Sequence, residues 1–285
     1  MATFATSDQL LVIIDPAARQ ADGEAVRIAK DVLSAGAAAK MCLPEGPEEF
    51  ARALGRRGSR RPVVVGDDRA LVRAVTLLHR QRELAGCALS VVPVGESALA
   101  ESLGVPCGAV AAARAVLDGS ERRLDLLVDD SDGVVLGALG IPPAPVRSAA
   151  AEPVPAVSGR AWYRSLVRTL APRPGRLPLI PSPGPARLRV EVDGTTVVDL
   201  DQPVEAVSVS TGASGEASVE VRPLSVGAEA TPLLASGRTV TVVGADFRYL
   251  ADAAVSGPVR RRTWTVREGA WGLTLPAGEG PSGGR

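Results

Sequence analysis

Apolar and polar positions follow two different rhythms along this chain, and the change comes near residue 140. In the first half, short aliphatic runs alternate with stretches whose apolar residues stand three or four apart. Leu10–Ile14 is an unbroken aliphatic run ended by Asp15-Pro16, a pattern that suits a strand buried on both faces. Met41–Leu43, Val63–Val65, Leu89–Val92 and Leu124–Val128 predict further strands. Between them, Gly23–Lys40 sets Val26, Ala29, Val32, Leu33 and Ala37 near helical spacing, with Gly36 weakening the end of that helix. Phe50 and Leu54 mark a short helix over Pro47–Leu54, and Leu71, Ala74, Val75 and Leu78 form one apolar helical face. Ala98–Leu103 and Ala109–Leu117 predict two more helices. The alternation implies an α/β domain over residues 8–140 built on a doubly wound, mostly parallel sheet. Ligands of such sheets bind beyond the carboxyl ends of the strands, here the loops near Asp15, Gly66–Arg69 and Gly95–Ser97.

After residue 140 the rhythm changes. Residues 141–185 are rich in proline and alanine and predict a connection, with a short amphipathic helix carried by Trp162, Leu166, Val167 and Leu170. From Ala186 the period is two: Leu188, Val190 and Val192 alternate with charged residues, and Asp193-Gly194 is a hairpin signal. Further short alternating runs reach Leu275. They predict a mainly antiparallel, β-sandwich-like domain over 186–277, followed by a disordered tail over 278–285.

Composition narrows the chemistry. In 285 residues, 32 Lys and Arg balance 32 Asp and Glu, so no global charge argues for nucleic acid. Aromatic residues are 3% of the chain, which leaves no visible stacking platform for single strands. The cysteines, Cys42, Cys87 and Cys107, form no C-x-x-C pair and fit a reducing, cytoplasmic setting. The lone histidine, His79, argues against His-rich metal sites and a Ser-His-Asp triad. Leu10–Ile14 is too short for a signal peptide or a membrane span. No G-x-G-x-x-G follows the first strand, which weighs against a dinucleotide enzyme.

Three junctions carry a family likeness. Asp15-Pro16-Ala17-Ala18-Arg19 follows the first strand. Gly66-Asp67-Asp68-Arg69-Ala70 follows the third and leads into the helix that starts at Leu71. Pro93-Val94-Gly95-Glu96-Ser97 precedes a helix closing in Leu103-Gly104-Val105. In order and frame the chain resembles the bacterial diacylglycerol kinase-like lipid kinases, relatives of NAD and sphingosine kinases. The likeness spans about Leu10–Gly140 and Pro185–Pro276. It implies a nucleotide-binding α/β domain, ATP and Mg²⁺ as cofactors, and phosphoryl transfer to a diacylglycerol-like lipid hydroxyl in a cleft between two domains.

Carried over residue by residue, the resemblance implies Asp15, Arg19, Gly66, Asp67, Arg69, Gly95, Glu96 and Ser97 as nucleotide-binding positions. It implies Asp68 as a catalytic and metal-binding position, and Asp252, in Ala251-Asp252-Ala253-Ala254, as a second catalytic one. The departures are extensive. The family's Asn-Pro-x-x-Gly keeps only its proline. Gly-Gly-Asp-Gly-Thr keeps one glycine and the aspartate, and Asp67 brings a negative charge to where phosphate would approach. Pro-Leu-Gly-Thr-x-Asn-Asp loses its polar side chains, and Val-Asp-Gly-Glu keeps only the aspartate. Gly-Gly-Gly with Asp-Gly has at most an echo in Thr211–Ser218.

Two readings stay open: an active lipid kinase with peripheral contact to a membrane, or an inactive relative acting as a binding or regulatory protein. Read without the family, Asp67 and Asp68 favour the positive end of the following helix, and Ser97 is a helix cap. Asp125 faces the cleft, or caps or pairs locally. Arg260–Arg262 is an exposed strand face or an anion contact, and His79 is a surface residue.

Overall fold

The computed structural model describes residues 9–142, 186–211, 215–224 and 231–277. The expected linker helix at Trp162–Leu170, the middle of Thr211–Ser218 and the expected disordered tail lie outside them. The first strands are β1 (Leu10–Ile14), β2 (Ala39–Cys42), β3 (Arg61–Gly66) and β4 (Ala88–Pro93), with helices α1 (Pro16–Ala21), α2 (Gly23–Gly36), α3 (Pro47–Gly55) and α4 (Asp68–Arg80) between them. Then come α5 (Ala98–Ser102), α6 (Ala109–Asp118), β5 (Ser120–Asp129), β6 (Val134–Val135) and β7 (Ala138–Ile141). The remaining elements are strands: β8 (Ala186–Val192), β9 (Thr195–Val198), β10 (Pro203–Thr211), β11 (Ala217–Pro223), β12 (Leu233–Gly237), β13 (Thr239–Ala251) and β14 (Ala254–Leu275).

β2, β1, β3 and β4 lie side by side and parallel, with Val12 between Met41 and Val63. Because successive side chains point to opposite faces, each aliphatic run feeds two cores. Leu11, Ile13 and Val64 join Phe50, Leu54, Leu71 and Leu78. Leu10, Val12, Ile14, Val63 and Val65 join Val26, Leu33 and Val116. Helix α2 stops at Gly36, and Ala39 and Lys40, read as its last turn, instead open β2.

The expected doubly wound parallel sheet is not what forms. Among the described residues strand accounts for 48% and helix for 26%, and antiparallel pairing dominates. The place beside β4 goes to the last part of β14, which arrives parallel with Leu273 opposite Leu89. β5 then runs antiparallel to β14, with Leu124 opposite Trp271 and Ser120 opposite Leu275. A strand from the far end of the sequence thus takes the position that another local crossover would have filled. Trp271 and Leu273 complete the core under α4.

Nor do the later strands form a two-sheet sandwich. β10 pairs with β7, β7 with β13, β13 with β8, and β8 returns to β10, closing a small barrel. Val190, Val207, Val209, Val240 and Val242 fill it. Tyr249 stands edge-on to Trp264, with ring centroids 5.2 Å apart. β14, 22 residues long, runs through both parts, and its register shifts between Arg267 and Trp271.

Candidate functional site

The loop after β3 is built by two adjacent carboxylates that act in different directions. Asp67 caps α4: its Oδ1 accepts the Ala70 N–H at 2.9 Å. Asp68 turns toward the following loop, where its Oδ2 accepts from Leu99 N at 2.8 Å and its Oδ1 from Ala100 N at 3.0 Å. It closes the amino end of α5. Ser97 occupies the expected cap position without capping the helix, and its hydroxyl donates to Glu101 Oε1 at 2.7 Å. Main-chain bonds from Asp68 N to Glu96 O and from Val94 N to Gly66 O knit the two loops together.

Gly66 is required by space. A Cβ there would stand 2.7 Å from Ala70 Cβ and 3.1 Å from Asp15 Cβ. Gly95 adopts φ +99°, where a side chain would be strained. Asp15 is buried and caps α1 by accepting from Ala17 N at 2.9 Å. Its other oxygen accepts from Arg73 at 2.7 Å, and that guanidinium lies over the Phe50 ring. Arg19 donates to Pro44 O at 3.3 Å.

Asp252 stands at the β13–β14 turn with φ +47°. Its carboxylate accepts three amides: Leu136 N at 2.7 Å, Gly137 N at 2.8 Å and Ala138 N at 3.2 Å. It fastens the turn to the start of β7.

Asp68 and Asp252 line one cleft, of about 770 Å³, between α5 and the barrel. Arg69, Glu96, Ser97, Glu101, Ser210 and Thr211 share its lining, with Leu99 and Leu103 as apolar wall. A smaller hollow of about 290 Å³ adjoins it, lined by Asp67, Arg69, Gly95 and Glu96. Asp15, Arg19 and Gly66 line neither. Sequence reasoning does not single out Glu101, Gly137 or Ser210, and touches Thr211 only as the start of the Thr211–Ser218 echo. Glu101 leaves a trace in sequence, four residues after Ser97; Gly137 and Ser210 arrive through long-range pairing and leave none.

Burial pushes both cleft aspartates above the usual carboxylate range. For Asp68 the Leu99 and Ala100 amides oppose this. For Asp252 the three amides oppose it, and the nearby charge of Asp68 adds to it. Of the ionisable side chains on the lining, four are carboxylates and Arg69 is the cation.

ATP and Mg²⁺ do not fit this arrangement. The amino end of α4, where amides could receive phosphate, is filled by the Asp67 side chain. Both Asp68 oxygens are taken by main chain. Among the described residues no three acidic, histidine or cysteine side chains gather in a metal-holding group.

The remaining candidates have local duties. Asp125 accepts from Gly215 N and Gly269 N. His79 meets Asp132 at 2.9 Å. Arg260 bonds Asp246, and Arg262 bonds Asp130 and Ser131. Among the described residues no helix is long and apolar enough to cross a membrane.

No protein-family model and no curated protein matches the chain. Solved structures do. A crystal structure named "putative diacylglycerol kinase" from Bacillus anthracis str. Sterne aligns over 95% of this chain and 98% of its own, at TM-score 0.70 and 14% identity. A second, named as a diacylglycerol kinase from the same strain, aligns over the same shares at TM-score 0.65 and 12% identity. At this identity the likeness is one of fold: the chain has the fold of the diacylglycerol kinase-like lipid kinases.

Proposed function

We propose that this chain is a lipid kinase-fold protein that does not transfer phosphate and works as a binding or regulatory protein through the retained cleft. The observation that carries this reading is the employment of Asp68. Phosphoryl transfer is positioning plus electrostatic stabilisation of a highly charged group, and needs carboxylates free for metal or proton. Here Asp68 and Asp252 hold the cleft walls together instead. The exposed Glu96 and Glu101 add negative charge at the mouth, and Arg69 offsets one of them. Such a lining repels a triphosphate. Its hydroxyls and leucines suit a ligand with a polar, non-phosphorylated head and an apolar body.

Calorimetric titration with ATP and Mg²⁺, followed by incubation with diacylglycerol and radiolabelled ATP, tests this. The expected result is no saturable heat and no labelled lipid. Saturable ATP binding together with labelled phosphatidic acid would return the chain to the active kinases, with Arg69 and the two cleft aspartates as the starting points for mutagenesis.

A further inference from the structure

A second hollow, of about 300 Å³, lies on the outer edge of the parallel strands between β2 and α3. Its floor is apolar, formed by Leu11, Cys42 and Ala53. Its rim carries Lys40 from β2, Arg52 from the last turn of α3, and Arg56, the residue that caps the carboxyl end of that helix. All three are exposed. The one carboxylate on the rim, Glu49, accepts from Glu45 N at 2.9 Å and meets Arg52 only at 3.7 Å. Among the described residues neither Lys40 nor Arg56 has an ion-pair partner. This sets the hollow apart from the Arg260–Arg262 segment, where Arg260 and Arg262 are paired with aspartates.

We propose that this hollow binds a phosphate-bearing headgroup, with Lys40, Arg52 and Arg56 as its ligands. Three cations from two elements converge on one concavity, with charge left uncompensated by the protein. A fork of guanidinium N–H donors matches phosphate oxygens, and the ammonium of Lys40 supplies a third point charge. Leu43, 47% exposed, stands at the rim beside Pro44. An apolar side chain next to a basic cluster suits a phosphate carried on a lipid at a membrane surface. A soluble phosphate ester offers the same headgroup chemistry. The site lies outside the cleft, so it stands or falls independently of the reading given above.

The test uses the full chain and the double variant Lys40→Ala/Arg56→Ala. Arg260→Ala serves as a charge control, and matched melting temperatures serve as the fold control. One arm measures co-sedimentation with phosphatidylcholine vesicles with and without phosphatidic acid. The other follows titration with glycerol phosphate by calorimetry. Loss of one basic residue near an anionic surface costs roughly fivefold in binding, so the double variant should bind acidic vesicles about 25-fold more weakly, with the control unchanged. Binding of vesicles, or of glycerol phosphate alone, that is lost in the double variant supports the site and identifies the source of its phosphate. The proposal is overturned if neither probe binds, or if the double variant binds as the unaltered chain does.

Discussion

The carboxylate of Asp68 caps helix α5 from another loop, reaching the amide of Leu99, thirty-one positions along the chain, at 2.8 Å. This bond makes Asp68 a structural fastener between the loop after β3 and α5. Replacing it with alanine strands two buried amide donors, Leu99 N and Ala100 N. Losses of this kind cost about 2 kcal/mol. Denaturant unfolding of Asp68→Ala should show that drop, whereas a purely catalytic aspartate would leave stability unchanged or improved.

Acid stability should separate Asp129 from the cleft aspartates. Burial pushes the Asp129 carboxyl up, but bonds from Gly133 and Ser131 and the charge of Arg262 outweigh it and hold the group below the usual range. A lowered native pKa contributes stability above the unfolded value, near 3.9 for aspartate, that is lost as pH falls through the native value. Asp68 and Asp252 are raised, so their sign is opposite: they favour the fold at low pH and lose that contribution as pH rises through their native values. Stability measured from acid to neutral pH should therefore fall less steeply at the acid end for Asp129→Asn than for the unaltered chain. In Asp252→Asn the decline on the alkaline side of the carboxylate range should become shallower, leaving the part that Asp68 contributes.

How much of this was legible follows from range. β1 is an uninterrupted aliphatic run, β3 carries Val63–Val65, and β4 is broken only by Ser90, and such runs announce themselves. The cap at Asp67 is also local, since it serves an amide three residues on. The position of β14 is not legible, because nothing near Gly272 names Ala88 as its neighbour, and the local alternation of strand and helix points to a parallel sheet instead. The family likeness names Asp68 and Asp252, but the groups they bond, Leu99 and Leu136–Ala138, lie 31 and more than a hundred positions away. The β2–α3 hollow is not announced in sequence, because Lys40 stands twelve residues before Arg52 and Leu11 lies far upstream of both. Only folding brings Lys40 across from the neighbouring strand.

The insertion of β14 makes a prediction about folding. Trp271 is fully buried, and its indole N–H donates to Asp125 O at 3.2 Å. A fragment ending at residue 142 lacks the strand that lies between β4 and β5, leaving Leu89 and Leu124 without their neighbours. It should show no cooperative unfolding transition. In the full chain, Trp271→Ala should cost about 3–5 kcal/mol, read by chemical denaturation.

Gly66 gives a sharper steric test. The residue that a phosphate-binding loop keeps for close approach of a ligand is here needed for close approach of the protein to itself, because Ala70 and Asp15 already occupy the space. Overpacking of this kind costs about 1–3 kcal/mol. Gly66→Ala should lower the unfolding midpoint by a corresponding amount even though no ligand is present.

Glu96 and Glu101 decide the sign of the cleft mouth. Both are exposed, so reversing them to lysine should leave the fold intact. Two unit charges about 4 Å apart interact by about 1 kcal/mol in water, and each reversal replaces a repulsion with an attraction of that order. If electrostatics at the mouth is what excludes a triphosphate, the Glu96→Lys/Glu101→Lys chain should gain measurable ATP affinity at low salt and lose it again as salt screens the new charges. Transfer to lipid should still be absent, because Asp68 remains bound to Leu99 and Ala100. An unchanged lack of ATP binding would instead locate the exclusion deeper, at the Asp67 cap, and Asp67→Gly in the same background would then be the change that admits the nucleotide.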